Sequence, residues 1–397
     1  MTCYIVFFVC VSGPAAVSNL TVTSANTSAL SFSWLLSDGH VDIYDLTLYS
    51  VVEATANHRQ DAAGSKKEHH QALGEQVDLQ KVGPAADSCV FSGLRAGSLY
   101  RLQVVSWSRG MSSDSSVLAR TVPSSVSSLQ VQSSGRTDRL TVSWQHGEGS
   151  WSSYQVVLYD VSGATLGAQT LGADHRSHTF SGLVPGRLYR GEVITHSGEL
   201  TNNVSAFGRT TPEPPTHLSV KQGPTNDTIE LTWSGPASGD YDSFSLQWSP
   251  PDPMSITQTH LTSRILGGMF PGRQYNFTVA TVSGGGARGG PMVKSQTIQR
   301  NVRTSPSPLK SIHCFPLSSS SLSCSWSPPL SDFDSYEVEC RRHDDGELTS
   351  ALRLVEGVTA VTLDHLEAYR KYSVTVRVSS AGQTSPPATH TTVTMID

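Results

Sequence analysis

The stretch Ser181-Gly182-Leu183-Val184-Pro185-Gly186-Arg187-Leu188-Tyr189 decides the fold, because relatives of it recur at 92–100, 267–275 and 364–372. In each copy an apolar residue stands six positions before a tyrosine. In three copies Gly or Pro-Gly between the two indicates a tight turn. Alternating polar and apolar residues after each tyrosine predict a strand with one buried face. A tyrosine at the start of such a strand matches the tyrosine corner of a β-sandwich. The pairs are Leu94/Tyr100, Leu183/Tyr189, Met269/Tyr275 and Leu366/Tyr372.

A second pattern, in which apolar and polar residues alternate up to a tryptophan, also occurs four times, at 30–34, 140–144, 229–233 and 322–326. Each copy predicts a strand with an inward-facing tryptophan. The spacing from tryptophan to corner tyrosine is similar in three copies and about twenty residues longer in the first, which indicates an insertion. Four copies at a period of about ninety residues predict four domains. The predicted core markers are Trp34, Trp144, Trp233, Trp326, Tyr100, Tyr189, Tyr275 and Tyr372.

This pairing of an early tryptophan strand with a later tyrosine corner resembles fibronectin type III modules, and the resemblance covers residues 14 to 397. The predicted fold is all-β: a tandem array of four fibronectin type III, immunoglobulin-like β-sandwiches. The four predicted repeats are 14–122, with an insertion at 53–76, then 123–211, 212–304 and 305–397.

The last repeat carries a closer resemblance. Its segments Cys324-Ser325-Trp326-Ser327-Pro328-Pro329, Glu339-Cys340-Arg341 and Thr394-Met395-Ile396-Asp397 look like the membrane-proximal repeat of receptor-type tyrosine phosphatases of the vascular endothelial, beta type. The resemblance implies an ectodomain on the extracellular side of the plasma membrane, in a single-pass glycoprotein of cell adhesion and angiogenesis. The implied partners are an endothelial junctional cadherin or a receptor tyrosine kinase. The catalytic domain would lie outside this sequence, so no enzyme activity is expected of the chain itself.

Three alternatives stay open. A secreted or cell-surface fibronectin type III adhesion or matrix protein would have the same repeats. The spacing Cys314-x9-Cys324-x-Trp326 also resembles a cytokine-receptor-like ectodomain, although a Trp-Ser-x-Trp-Ser signature is absent. A hydrolase that carries these modules as accessories is the third.

The composition fits an extracellular surface. Charged residues make up 15% of the chain, against about 25% in an average soluble protein. The net charge is −5 and no basic run occurs, so nucleic acid is not an expected partner. No cofactor and no small-molecule substrate are expected either. Five asparagines begin Asn-x-Ser/Thr acceptors for glycosylation: Asn19, Asn26, Asn203, Asn226 and Asn276. The strand alternation predicts that Asn276 faces solvent.

The start of the chain has two interpretations. Residues 1–13 contain an apolar run of about eight residues, far shorter than the roughly 20 that span a membrane. The run is either the core of a short signal peptide, although it lacks a basic leader, or a truncated start within a longer protein.

The polar insertion from Glu53 to Gln76 is predicted to be a mobile loop between strands. Its residues His58, Glu68, His69 and His70 lack the spacing of a preformed metal site, so no metal is expected.

Two cysteines of the last repeat are predicted to pair. When the repeats are aligned on their tryptophans, Cys314 and Cys324 fall at the facing positions of Val22 and Phe32 on the first two strands. Facing β positions lie near disulfide reach, so we expect a bridge in an oxidising compartment. Cys340 faces inward without an evident partner, and the partners of Cys3, Cys10 and Cys89 stay open.

Three motifs imitate catalytic or cofactor sites. Cys89-x5-Arg95 satisfies the minimal tyrosine phosphatase signature, but no helix follows to cradle a phosphate. His313-Cys314 has Ser320 where an arginine would be required. The run from Gly284 to Gly289 fits G-x-G-x-x-G but is followed by another strand, which predicts a hairpin turn. No catalytic or cofactor-binding residue is therefore predicted.

Overall fold

The structure, a computed structural model, describes residues 13–53, 72–251, 258–286 and 289–396. Over these residues the secondary structure consists of 29 strands without a helix, which confirms the all-β prediction. No helix in this part of the chain is therefore long and apolar enough to span a membrane. The chain forms two compact units. The first contains repeat one and most of repeat two, and the second contains Arg209–Asp397 with the short segments Gly135–Asp138 and Leu183–Arg187.

Repeats one and two are two-sheet sandwiches with the same antiparallel topology. In repeat one a three-stranded sheet (β1-β2-β5) faces a four-stranded sheet (β4-β3-β6-β7), and in repeat two the corresponding sheets are β8-β9-β12 and β11-β10-β13-β14. The strands are β1 Ser18–Ala25, β2 Ala29–Leu35, β3 Ile43–Val52, β4 Ala72–Val82, β5 Ser88–Ser92, β6 Leu99–Ser108, β7 Met111–Arg120, β8 Ser127–Gln132, β9 Arg139–Gln145, β10 Ser153–Tyr159, β11 Thr165–Gly172, β12 Ser177–Ser181, β13 Leu188–Ser197 and β14 Leu200–Arg209.

Repeats three and four keep the three-stranded sheet, as β15-β16-β18 and β22-β23-β26. In the second sheet of each, the last stretch divides into a short and a longer strand that both pair the central strand. The strands are β15 Thr216–Gln222, β16 Ile229–Ser234, β17 Ser243–Ser249, β18 Ser263–Leu266, β19 Gln274–Ser283, β20 Val293–Lys294, β21 Ile298–Arg303, β22 Ile312–Pro316, β23 Leu322–Trp326, β24 Ser335–Arg342, β25 Leu348–Val355, β26 Ala360–Leu363, β27 Lys371–Ser380, β28 Gln383–Thr384 and β29 Ala388–Val393.

The predicted tryptophans lie in the cores, where each packs edge-on against an aromatic ring of the following strand. The ring planes cross at 61 to 77° with centroids 5.3 to 6.2 Å apart. Such pairs contribute about 0.5 to 1.5 kcal/mol beyond area burial. None of the four indole N–H groups has a hydrogen-bond partner within the described residues, so ring packing has to offset their desolvation. The pairs are Trp34–Tyr44, Trp144–Tyr154, Trp233–Phe244 and Trp326–Tyr336.

The predicted tyrosine corners contain two hydroxyl groups that act on one residue. The Tyr100 hydroxyl accepts the backbone N–H of Arg95 at 2.9 Å, and the Thr121 hydroxyl donates to the carbonyl of the same Arg95 at 2.7 Å. In repeat four, the Tyr372 hydroxyl accepts the backbone N–H of Glu367 at 2.9 Å, and the Thr394 hydroxyl donates to the Glu367 carbonyl at 2.6 Å. The corner is thereby fixed to two different strands. Tyr189 and Tyr275 occupy the same position, and both are buried.

The insertion is shorter than the sequence predicts. Residues 72–76 begin strand β4, where Leu73 pairs Val51 and Gln76 pairs Tyr49, so the prediction of a loop throughout 53–76 is wrong for this part. A polar sequence on the outer face of an edge strand needs no apolar alternation, and therefore gives no strand signal. Residues 54–71 lie outside the described residues.

Two buried tyrosines of repeat four, Tyr336 and Tyr372, give opposite expectations for replacement by phenylalanine. The Tyr336 hydroxyl is buried and makes no hydrogen bond of normal geometry, and its polar neighbour is the Trp326 indole N–H. Tyr336→Phe therefore removes a polar group whose desolvation is poorly compensated, and repeat three already has Phe244 at this position. We expect Tyr336→Phe to be neutral or stabilising. Tyr372→Phe leaves the N–H of Glu367 unpaired and should destabilise repeat four by about 1 kcal/mol.

Hydrogen exchange of β23, β24 and β27 in the full chain measures both effects within one repeat. The corresponding strands of repeat one are the internal control and should exchange as in the wild type. Equal destabilisation by the two substitutions would contradict the difference in hydrogen bonding between Tyr372 and Tyr336.

The two cysteines predicted to pair, Cys314 and Cys324, form a disulfide across β22 and β23, whereas Cys340 is a buried free thiol. For so short a loop we expect reduction, or the double substitution to alanine, to destabilise repeat four by about 2 to 3 kcal/mol. Non-reducing peptide mapping of the secreted chain should recover a 314–324 link. A link from either cysteine to Cys340 would overturn the pairing, because β24 belongs to the opposite sheet.

Candidate functional site

The cysteine of the phosphatase-like motif is a core residue. Cys89 lies on β5, with 8% of its surface exposed, beside fully buried Phe91. Burial raises the pKa of the Cys89 thiol to about 12, whereas a catalytic cysteine needs a lowered pKa. Arg95 lies in the corner, where its Nη2 donates to the carbonyl of Gly149 at 2.9 Å. Cys89 therefore packs in the core, whereas Arg95 bonds to the backbone of repeat two.

The cysteines of repeat four are also structural. Cys314, of the pair His313-Cys314, is bound in the disulfide. Cys340 is fully buried, and burial raises the pKa of its thiol to about 11. Neither position presents a thiolate to solvent, so neither can act as a nucleophile at neutral pH.

The glycine-rich motif forms a hairpin, as predicted. Strands β19 and β20 pair through Val282 with Lys294 and Ser283 with Val293. Gly284 and Gly285 adopt φ values of 97° and 89°, which residues other than glycine rarely adopt. Residues 289–396, which the structure describes after the glycines, contain no helix, so they offer no helix N-terminus to hold a pyrophosphate.

The histidine-rich segment of the insertion cannot be described as a metal site. His58, Glu68, His69 and His70 fall in 54–71, outside the described residues. Among the residues that are described, no group of three His, Cys, Asp or Glu side chains is arranged to hold a metal ion.

Three of the five glycosylation acceptors are exposed: Asn19, Asn26 and Asn203. The Oδ1 of Asn26 accepts the backbone N–H groups of Ser28 and Ala29 at 2.8 and 2.7 Å. Its carbonyl end is thus anchored in a turn, while the side chain as a whole is exposed.

The other two acceptors are half-buried. Asn226 donates from Nδ2, the atom that would carry a glycan, to the Ser307 hydroxyl at 3.1 Å. Asn276 has a fully covered Oδ1 without a partner, so it is less exposed than the strand alternation predicts. It does lie on the outer face, but β19 is a central strand, and Ser249 and Asn301 flank it.

A polar cluster on the outer face of repeat two was not predicted. Glu192 is only 8% exposed, and its carboxylate accepts the Tyr159 hydroxyl at 2.8 Å and the Nδ2 of Asn203. The guanidinium of Arg190 lies 4.2 Å from the Tyr159 ring centroid. Donation to Glu192 raises the pKa of Tyr159. The available signal for this cluster was the pair of charged residues Arg190 and Glu192, two positions apart on β13, with the acceptor Asn203 on the following strand β14.

Repeat one has a groove of about 470 Å³ on its four-stranded sheet, lined by four apolar residues together with Arg101 and Ser116. Its lining includes Val51, Leu73 and Leu118, of which the last two are about half exposed. Apolar side chains on the outer face of a sheet differ from the serine and threonine typical of this chain. The groove and the Glu192 cluster are the candidate contact surfaces of repeats one and two.

Comparison with known proteins finds similar sequences among receptor-type tyrosine phosphatases and tenascins. In the rat, receptor-type tyrosine-protein phosphatase V is 31% identical over 56% of this chain and 12% of its own length. Human tenascin-R is 28% identical over 91% of the chain and 25% of its own length, and human receptor-type tyrosine-protein phosphatase H is 24% identical over 94% and 31%. The chain thus spans less than a third of these relatives.

A solved structure of two fibronectin type III domains from chicken tenascin covers 50% of the chain and all of its own, at 21% identity and a TM-score of 0.36. The family model for the fibronectin type III domain matches four stretches, at 15–119, 124–207, 213–297 and 306–394. These stretches make up most of the sequence. The chain therefore belongs to the fibronectin type III family.

Proposed function

We propose that the chain is an extracellular spacing and recognition array of a cell-surface receptor-type tyrosine phosphatase. The observation that carries the extracellular assignment is the Cys314–Cys324 disulfide, since such bridges persist in oxidising compartments. Exposed glycosylation acceptors in repeats one and two support it. The receptor assignment is supported by two receptor-type phosphatase relatives, one matching 94% of the chain, and by the resemblance of repeat four to the vascular endothelial, beta type.

In this proposal the chain binds and a separate intracellular domain catalyses. The array recognises a cell-surface protein, of the endothelial junctional cadherin or receptor tyrosine kinase class. Recognition brings the missing phosphatase domain near its substrate, in signalling at endothelial contacts and in angiogenesis. Binding faces on such sandwiches are free to vary while the core stays constant.

A matrix or adhesion protein is the second candidate. It is favoured by tenascin-R, which matches 91% of the chain at 28% identity. Its repeats would serve the same spacing role without a membrane anchor.

The coding sequence beyond Asp397 separates the two candidates. A receptor phosphatase requires a stretch of about 20 apolar residues, followed by a domain with a His-Cys-x5-Arg segment. Surface biotinylation of cells that express the complete protein supplies the matching measurement. A secreted product without an apolar stretch would reject the receptor assignment in favour of the matrix protein.

We expect the 397-residue chain to hydrolyse no phosphotyrosine peptide, because burial raises the pKa of Cys89 to about 12. The assay compares the secreted chain with Cys89→Ser, and with Cys340→Ser as the matched buried-cysteine control. Turnover that disappears only in Cys89→Ser would contradict the non-catalytic assignment.

Glycan occupancy should follow exposure. We expect glycans at Asn19, Asn26 and Asn203, and none at Asn276, where β17 and β21 flank the side chain. Peptide mass spectrometry before and after treatment with peptide-N-glycosidase measures each site in the secreted chain. A fully occupied Asn276 would show that the outer face of repeat three is more open than described, and an absence of glycans everywhere would count against extracellular export.

A further inference from the structure

Repeats one and two meet through three groups that bond to one another. The carbonyl of Gly97, in the corner of repeat one, accepts Arg120 Nη1 at 3.1 Å and the Ser197 hydroxyl at 2.6 Å. Arg120 Nη1 also donates to Ser197 Oγ at 3.0 Å. Arg120 ends β7 of repeat one and Ser197 ends β13 of repeat two. The three groups therefore join two repeats within the first unit.

Repeats three and four meet in the same way. The carbonyl of Gly272 accepts Arg303 Nη1 at 2.8 Å and the Ser380 hydroxyl at 2.8 Å. Arg303 Nη1 donates to Ser380 Oγ at 3.0 Å. Arg303 ends β21 and Ser380 ends β27, so each residue has the same place in its repeat as its counterpart in the first unit.

A third set of the same residue types lies inside the second unit, to which Leu183–Arg187 and Arg209 belong. The carbonyl of Gly186 accepts Arg209 Nη1 at 3.0 Å and the Ser283 hydroxyl. Nη1 of Arg209 lies 3.2 Å from Ser283 Oγ. Three occurrences of one arrangement indicate a structural requirement rather than a coincidence of surface side chains.

The glycine is required because two backbones touch at this point. A Cβ atom on Gly97 would lie 1.8 Å from the carbonyl oxygen of Ser150, and one on Gly272 would lie 1.7 Å from that of Asp332. The backbone N–H of Asp332 also donates to the carbonyl of Pro271 at 3.0 Å. Any larger residue in place of the glycine would have to push the next repeat away.

The charges around the three groups differ between the two units. Arg273 forms a two-pronged ion pair with Asp332, at 2.8 and 3.3 Å. At the same places in the first unit, Ser98 and Ser150 have hydroxyl oxygens 3.4 Å apart. The ion pair is therefore replaceable, whereas the glycine, arginine and serine are the same in both.

Repeat four shows that the corner itself needs neither the glycine nor the arginine. Tyr369, with φ of 51°, stands at the glycine position, and Val393 stands where the arginine would be. Yet Thr394 and Tyr372 still make both corner hydrogen bonds. Glycine and arginine occur together in repeats one, two and three, and in each the arginine bonds to a serine of the repeat that follows.

We propose that these three residues, here named the inter-repeat clasp, form an interaction surface that fixes the orientation of one repeat on the next within each unit. The partner of the surface is the following fibronectin type III repeat. Repeats of one chain ordinarily move relative to one another. A guanidinium bonded to a carbonyl is a charge-assisted contact with fixed geometry, and the side chain of Arg120 is 15% exposed, so little water competes.

The test uses the full chain with two spin labels, at exposed Ser263 of repeat three and exposed Thr349 of repeat four. Labels carried by noncanonical amino acids leave the native cysteines untouched. Pulsed electron–electron double resonance measures the width of the distance distribution between the two labels. The variants are Arg303→Ala, Arg303→Lys and Gly272→Ala. The matched control is Arg300→Ala, on the same strand, whose Nη1 bonds within repeat three to the Gln299 carbonyl.

We expect the distribution to widen at least twofold in Arg303→Ala and Gly272→Ala, with Arg303→Lys nearly as wide, because an ammonium lacks the planar fork. Arg300→Ala should keep the wild-type width. Hydrogen exchange confirms that both repeats stay folded, and Arg303→Ala decides the outcome if Gly272→Ala does not fold. A wild-type width in folded Arg303→Ala would overturn the proposal.

Discussion

The sandwiches of repeats one, three and four each depend on a corner residue whose two backbone groups are both satisfied by side-chain hydroxyls from different strands. Arg95 donates its N–H to Tyr100 and accepts at its carbonyl from Thr121. Phe270 has the same partners in Tyr275 and Thr304. The chain crosses here from one sheet to the other, where no ladder can satisfy these groups, and a buried unpaired N–H or C=O would cost about 1 to 3 kcal/mol. Two hydroxyls replace the missing ladder and tie the corner to both strands that follow it.

The corner also sets where the next repeat is held. The two hydroxyls fix the corner residue, Arg95 or Phe270. Two positions later the glycine, Gly97 or Gly272, presents its carbonyl to the next repeat. The arginine that bonds this carbonyl directly precedes the corner threonine, in Arg120-Thr121 and Arg303-Thr304. One strand end therefore serves two purposes, since threonine closes the corner inward and arginine reaches outward. Internal stability and inter-repeat contact share a single element.

Much of this was predictable because it is local. Period-two alternation around Trp326 and Tyr372 gives strand identity and buried face, and alignment of the repeats gives the facing positions of Cys314 and Cys324. The degree of exposure of Asn276 was not predictable, because it depends on two flanking strands that the alternation does not describe. The clasp was missed for a related reason: Gly272 and Ser380 are more than a hundred residues apart, and their contact depends on how two domains dock. The glycine in the repeated corner and the paired Arg-Thr residues were the available signal.

The match of Cys89 and Arg95 to a phosphatase signature shows why spacing alone does not make a site. A phosphate loop needs several backbone N–H groups that converge on one point and have no other acceptor. In this segment the N–H of Leu94 donates to the Ser28 carbonyl at 2.9 Å, and that of Gly97 to the Val122 carbonyl at 3.1 Å. The N–H of Arg95 is bound to its corner tyrosine. Because closing the sandwich already uses these three donors, they are not available to an oxyanion. A phosphate could be held here only if the corner opened, and opening it would remove the contacts that fold the repeat.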